Sequence, residues 1–147
     1  MRRELRHTLT FPVQFDETDM LGVVHNSVYF KWFERGRMGL LQQILPVDEV
    51  MATGVATPVV RNTCDYQRPA RFGDTLVLVT RMPVDDAYSG KLRFVHELSD
   101  SRTRQPVARG EAILTLMNYR THRLLKTVPE PIMARLSALL DRETGGS

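Results

Sequence analysis

Apolar residues fall at Leu9, Phe11, Val13 and Phe15, every second position, and this period of two predicts a half-buried strand over residues 7–15. Residues 16–25 break the alternation. From Asn26 the spacing changes. Val28, Tyr29, Trp32, Phe33, Leu40, Leu41 and Ile44 recur at helical intervals behind residues that cap well, which predicts a helix of about four to five turns ending before Pro46. Its first turns are apolar almost all round, and Gly36 and Gly39 would each cost about 1 kcal/mol relative to Ala in an exposed helix. Both features point to a buried helix that strands enclose, with small residues admitting another backbone. Residues 48–54 read as a short second helix with a glycine stop.

After Gly54 the pattern is β. Residues 55–67, 75–84, 91–98 and 106–119 are rich in β-branched and apolar side chains, and turn-forming segments at 68–74, 85–90 and 99–105 separate them. Links this short predict an antiparallel meander. Residues 129–142 place Ile132, Met133, Leu136, Leu139 and Leu140 on one helical face, with residues 144–147 as a frayed tail. A strand, a buried helix and four further strands make an α+β arrangement in which one antiparallel sheet covers one apolar helix. There is no internal repeat and no linker, so residues 1–147 read as one domain, with its core over about 7–130 and the closing helix over about 129–142. At this length folding buries roughly 68–70% of the unfolded surface.

A hydrophobic fraction of 42% and a charged fraction of 25% exclude a disordered or low-complexity chain. No run approaches the roughly 20 apolar residues of a membrane span. The basic start, Met-Arg-Arg, leads into alternation rather than an unbroken apolar segment, so the expected compartment is the cytoplasm. Cys64 is the only cysteine, which excludes an intrachain disulfide and thiolate-rich metal sites, and its place within a strand reads as a small core residue. The net charge of +3 suits a phosphate-bearing partner. Seventeen arginines are scattered along the chain without an aromatic-rich basic motif, so nucleic acid is not an expected partner.

The groups with chemical potential gather just before the long helix: Asp16, Glu17, Thr18, Asp19, Gly22, His25 and Asn26. Unpaired N–H groups at a helix start, together with the positive end of its dipole, stabilise a developing oxyanion. A carboxylate and an imidazole beside such donors fit acyl transfer. The same residues also fit plainer roles, Asp19 and Thr18 as turn formers and Gly22 as the residue for a positive φ. Asp16, Asp19 and His25 offer metal-ligating groups without a fourth partner, so no metal site is expected. His96, on the apolar side of 92–98, reads as a hydrogen-bonded core or interface histidine.

The run Phe15-Asp-Glu-Thr-Asp-Met-Leu-Gly-Val-Val-His-Asn-Ser-Val-Tyr-Phe-Lys-Trp-Phe-Glu-Arg-Gly-Arg37 resembles the signature of hotdog-fold acyl-CoA thioesterases of the 4-hydroxybenzoyl-CoA thioesterase type. Its pattern is Asp, two residues, Gly-Val-Val-His, three residues, Tyr and a Phe-Glu-x-x-Arg tail. The likeness continues through Tyr66-Gln-Arg-Pro-Ala-Arg-Phe-Gly-Asp74 and spans roughly residues 7–130. It implies an antiparallel sheet wrapped around a long central helix, a homodimer or homotetramer with sheets paired edge to edge, and active sites at the interface. It also implies an acyl-CoA substrate and no cofactor.

Carried over, the resemblance makes Asp19 the catalytic carboxylate, as nucleophile or general base, and the amide near Asn26 the group that polarises the thioester oxygen. His25 matches a motif position that orients Asp19 or water, and some relatives carry histidine one position later, where this chain has Asn26. Gly22, Val23 and Tyr29 match positions that shape the pocket. Glu34 and Arg37 read instead as an intrahelical pair. The phosphates of coenzyme A call for cations, for which Arg68, Arg71 and Lys91 are the leading candidates and Arg61 and Arg120 further ones. The alternatives are a thioesterase for acyl groups on a carrier protein and a non-catalytic acyl-CoA-binding protein. A hydratase of the same fold lacks its motifs here.

Overall fold

In the computed structural model, which describes residues 3–84 and 90–145, the period-two pattern forms strand β1 (Glu4–Pro12). Leu5 is buried and Leu9 and Phe11 are half-buried on its inner side. The strand starts three residues before the predicted segment and stops short of Phe15. The reason is local: Glu17 accepts the Gln14 N–H at 2.7 Å and turns residues Phe15–Glu17 into a 3-10 turn. Val13 stays buried, while Phe15 swings out to 74% exposure.

Helix α1 (Val28–Ile44) follows, then α2 (Val47–Thr53), stopped by Gly54 at φ +73°. The predicted strand 55–67 is two strands, β2 (Val55–Ala56) and β3 (Val59–Tyr66), because Pro58 has no N–H to give a ladder. Next come β4 (Thr75–Pro83), β5 (Lys91–Asp100) and β6 (Pro106–Thr115). The segment 106–119 also divides, its end forming β7 (Met117–Asn118), which pairs with β2 and with a strand the pattern did not indicate, β8 (Arg123–Leu124). Helix α3 (Glu130–Gly145) closes the chain and runs three residues past the predicted end. The expected turn at 85–90 lies outside the described residues except for Gly90, as do residues 146–147 of the expected tail.

The main sheet is antiparallel with order β1-β4-β5-β6-β3. Strands β4, β5 and β6 form the expected meander, but β3 lies beyond β6 rather than beside β4. The link 68–74 does not close a hairpin because its backbone bonds are engaged elsewhere. Gln67 and Arg68 donate to Val107 C=O, and Ala70 C=O accepts Val24 N–H at 2.8 Å.

The inner face of the sheet, with Leu76, Leu78, Phe94 and Leu98, packs on α1. This is the hotdog arrangement. Enclosure is one-sided, since Lys31, Glu34 and Arg35 face solvent. Close approach depends on glycine: a methyl group on Gly36 would stand 3.0 Å from Leu78 Cδ2 and collide with Thr80 Oγ1. His96 is the core histidine expected. Its ring stacks on Phe33 with centroids 4.7 Å apart, and Nδ1 lies 3.0 Å from Thr80 Oγ1. Burial, and then the Arg37 charge, push it down to about 3, so it is neutral at physiological pH. Cys64 packs against the core as expected, and burial raises its thiol. Glu34 and Arg37 do pair, at 3.7 Å, although the Arg37 side chain is buried.

Two apolar clusters result. One, with Val24, Tyr29, Trp32, Phe33, Ala70 and Leu76, lies under the first half of α1. The other joins Leu41 and Ile44 to Leu92 and to Ile132, Leu136 and Leu140 of α3. At that second end Arg135 binds both oxygens of Glu49, so α3 is clamped to α2. The guanidinium holds the Glu49 carboxyl below its usual 4.5. A carboxyl with a lowered folded value adds stability at neutral pH and loses it as pH falls through that range. Arg135→Ala is therefore expected to melt earlier than wild type at pH 7, with the gap closing below about pH 4 as the carboxyl protonates in both. Melting curves at the two pH values check this.

Candidate active site

Residues 18–24 form a miniature hairpin. Thr18 and Val24 face each other across an antiparallel bridge, and Asp19 N–H donates to Val23 C=O at 2.9 Å. Gly22 N–H returns to Asp19 C=O at 3.0 Å, with Gly22 at φ +77°, a conformation that glycine adopts without a steric cost. The Asp19 side chain closes its own turn: Oδ1 accepts Leu21 N–H at 2.8 Å. Among the described residues Oδ2 has no partner, and the side chain is exposed. Asp19 is thus both turn former and a carboxylate with one free oxygen.

The hairpin is sewn to the link between β3 and β4 through an antiparallel bridge between Val23 and Arg71 and the bond from Val24 to Ala70. Buried Tyr29 accepts the Ala70 N–H on its hydroxyl at 3.3 Å. Burial raises the Tyr29 hydroxyl further above its ordinary value. Gly22, Val23 and Tyr29 therefore act together on one structural unit, although only Tyr29 faces the cleft described below.

His25 is turned to α1 rather than to Asp19. Its Nδ1 accepts Ser27 N–H at 3.2 Å and lies 2.7 Å from Ser27 Oγ, closing the start of the helix. The His25 carbonyl accepts Val28 N–H at 3.0 Å. The Asn26 N–H meets no acceptor among the described residues, which leaves it open beside the helix start.

Two residues bind this unit in ways that the sequence reading missed. Glu17 accepts Trp32 Nε1–H at 2.9 Å with Oε2 while Oε1 holds Gln14 N–H, and its carbonyl accepts His25 N–H at 3.0 Å. Tyr66, at the end of β3, donates its hydroxyl to Asn26 C=O at 2.8 Å. The capping spacing from Gln14 to Glu17 was the one available signal for the first. Glu17→Ala removes both side-chain bonds and leaves the indole N–H without an acceptor, and is expected to cost about 2 kcal/mol. Denaturation followed by Trp32 fluorescence checks this, since Trp32 is the sole tryptophan.

Val24, Asn26, Tyr29, Tyr66, Arg68 and Pro69 line an open cleft of about 260 Å³. Arg68 is one of the lining residues, and Arg71 is bridged to Val23 on the same unit. Lys91 does not join them: it opens β5 opposite Thr115, at the other end of the sheet, as the antiparallel register requires. Arg61 and Arg120 are likewise remote within one chain, Arg61 in the first half of β3 and Arg120 between β7 and β8. Asp16, Asp19 and His25 do not converge, and no group of three metal-ligating side chains is found among the described residues. No helix among those residues is long and apolar enough to cross a membrane.

Residues 13–136 match the family profile of the thioesterase-like superfamily. Over 69 residues the chain is 33% identical to the putative acyl-CoA thioesterase YneP of Bacillus subtilis, a match covering 46% of this chain and 50% of that protein. Over 125 residues it is 28% identical to the chloroplastic acyl-acyl carrier protein thioesterase ATL3 of Arabidopsis thaliana, covering 83% of this chain and 65% of that one. The chain thus spans about half to two thirds of the length of these curated relatives. Among solved structures, the hypothetical protein TT1821 from Thermus thermophilus superposes with a TM-score of 0.75 at 32% identity, covering 90% of this chain and 98% of that one. The 1,4-dihydroxy-2-naphthoyl-CoA thioesterase Slr0204 from Synechocystis shares the fold, with a TM-score of 0.78 at 20% identity over 90% and 96% of the two chains.

Proposed function

Because the chain belongs to the thioesterase-like superfamily, we propose that it hydrolyses an acyl-CoA thioester to a free carboxylic acid and coenzyme A. The observation that carries this reading is the open Asn26 N–H at the start of α1, on the same short unit as the free oxygen of Asp19. The thioester carbonyl accepts the Asn26 N–H, and the helix dipole favours the negative charge that develops on its oxygen. Acting as general base, Asp19 takes a proton from water, whose oxygen adds to the carbonyl carbon. The tetrahedral oxyanion collapses, the C–S bond breaks, and the proton returns to the departing thiolate. Acting as nucleophile, Asp19 forms an acyl anhydride as the thiolate leaves, and water then hydrolyses that anhydride. Neither route calls on a metal or redox cofactor.

Arg68 and Arg71 supply cations for the coenzyme A phosphates at the cleft. The outer edge of β3, where Val59 is 42% and Val60 is 58% exposed, suits pairing with a second copy. Antiparallel pairing there sets the β7–β8 end of one copy, with its basic residues, toward the cleft of the other. It places active sites at the interface of a homodimer, alone or within a homotetramer. The single unpaired cysteine fits a reducing cytoplasm.

The similarity to a carrier-protein thioesterase over 83% of this chain favours a second reading, with the acyl group on a phosphopantetheine arm. Thiol release from acetyl, hexanoyl, palmitoyl, benzoyl and phenylacetyl coenzyme A, compared with acyl-carrier protein and acyl-pantetheine, tests both. Turnover of a coenzyme A ester supports the first reading. Turnover of carrier-bound esters alone supports the second. Tight acyl-CoA binding without turnover defeats both in favour of a binding protein.

A further inference from the structure

Four backbone groups surround the Cα of Asn26, and three of them are bonded within the chain. The carbonyl of the preceding peptide goes to Val28 N–H at 3.0 Å. The N–H of the following peptide goes to His25 Nδ1 at 3.2 Å, and the Asn26 carbonyl goes to Tyr66 Oη at 2.8 Å. The fourth, the Asn26 N–H, is open. Both peptide planes that meet at Asn26 are therefore pinned, and the direction of the open amide is a consequence of the three bonds. Two of these are local, within three residues. The Tyr66 bond comes from 40 residues away and is the one that ties this amide to the sheet.

We infer that Tyr66 is a positioning residue: by donating its hydroxyl to the Asn26 carbonyl it fixes the peptide geometry that aims the Asn26 amide at the thioester oxygen. The inference rests on the hydrolytic reading above. Tyr66 is itself held in place, its ring edge-to-face with Tyr29 at 4.9 Å between centroids, while the Tyr29 hydroxyl accepts from Ala70. A tyrosine here offers a rigid donor with two side-chain torsions, where a longer polar side chain would sample several positions. Burial first, and the neighbouring Cys64 second, push the Tyr66 hydroxyl up to about 12, so it remains a donor throughout the pH range of an assay. An amide that is correctly aimed stabilises the oxyanion more than the ground-state carbonyl, so a loss of aim is read in kcat rather than in KM.

The test compares Tyr66→Phe with Tyr119→Phe. The control removes a hydroxyl that also donates to a backbone carbonyl, that of Met51 in α2, at 3.5 Å. With a cleaved acyl-CoA ester, Tyr66→Phe is expected to lower kcat about tenfold with KM within about twofold, while Tyr119→Phe leaves both unchanged. The melting midpoint of Tyr66→Phe should stay within about 4 °C of wild type. Its Asn26 amide 15N–1H resonance should move, and the same resonance in Tyr119→Phe should not. Wild-type kcat in Tyr66→Phe, an equal loss in Tyr119→Phe, or an unmoved Asn26 resonance each overturn the assignment. No turnover by wild type on any ester overturns the hydrolytic reading and this one together, whereas turnover unaffected by Tyr66→Phe overturns this one alone.

Discussion

Asp19→Asn is expected to lower kcat by about 10³-fold while leaving the fold intact. The substitution is discriminating because of the two jobs that the side chain does. The carboxamide oxygen of asparagine still accepts the Leu21 N–H, so the turn closed by the 2.8 Å bond persists. What is lost is the second oxygen as a base or nucleophile, since an amide neither holds a proton from water nor forms an anhydride. Thiol release measured beside the melting midpoint separates chemistry from folding. A variant that keeps most of its rate removes Asp19 from the reaction, and one that unfolds shows the turn to be the larger role. His25→Ala should cost less, because the ring bonds Ser27 rather than Asp19.

The largest expected effect on stability belongs to Gly110→Ala. Gly110 lies in β6 between Cys64 of β3 and His96 of β5. A methyl group there would stand 2.5 Å from the Thr63 carbonyl and strike the Phe33 ring. The ring is already stacked on His96, and the carbonyl belongs to the edge-strand backbone. Overpacking of this kind costs about 3 kcal/mol. For a chain of 147 residues that is a fall in melting midpoint of about 6–12 °C, measurable by calorimetry. A shift of one or two degrees would mean that β3 yields easily, and would weaken the account of the sheet as closely packed over Phe33.

Much of this architecture was legible in the chain. The alternation through Val13 assigned the correct inner face, and the helical spacing from Val28 to Ile44 located α1 to within a residue or two. Phe15 departs from the alternation because the side chain of Glu17, two positions on, captures the Gln14 N–H and ends the strand. The two residues of β8 carry no period, and the place of β3 beyond β6 depends on contacts between distant segments that local pattern does not encode. The same division holds at the site. Asp19 and Gly22 announce a turn by residue type, and the caps before Val28 announce a helix start. Glu17 to Trp32 and Tyr66 to Asn26 are contacts across 15 and 40 residues, made only when the sheet closes on the helix. Lys91 shows the complementary limit: a position at a strand start says nothing about which end of the sheet that start occupies, and within one chain it lies opposite Thr115, away from the cleft.

The division of the core into two clusters has a consequence for altering the protein. Combinatorial libraries confined to Leu92, Ile132, Leu136 and Leu140 would sample robustness with little effect on catalysis, since these side chains pack at the end of α1 remote from Asn26. Libraries at Tyr29 or Trp32 would change the turn and stability together, because the Tyr29 hydroxyl holds the Ala70 N–H and the Trp32 indole N–H holds Glu17, while both rings pack in the core. Hardening the first group before diversifying the second would let a selection for new substrates explore variants that the starting chain could not fold.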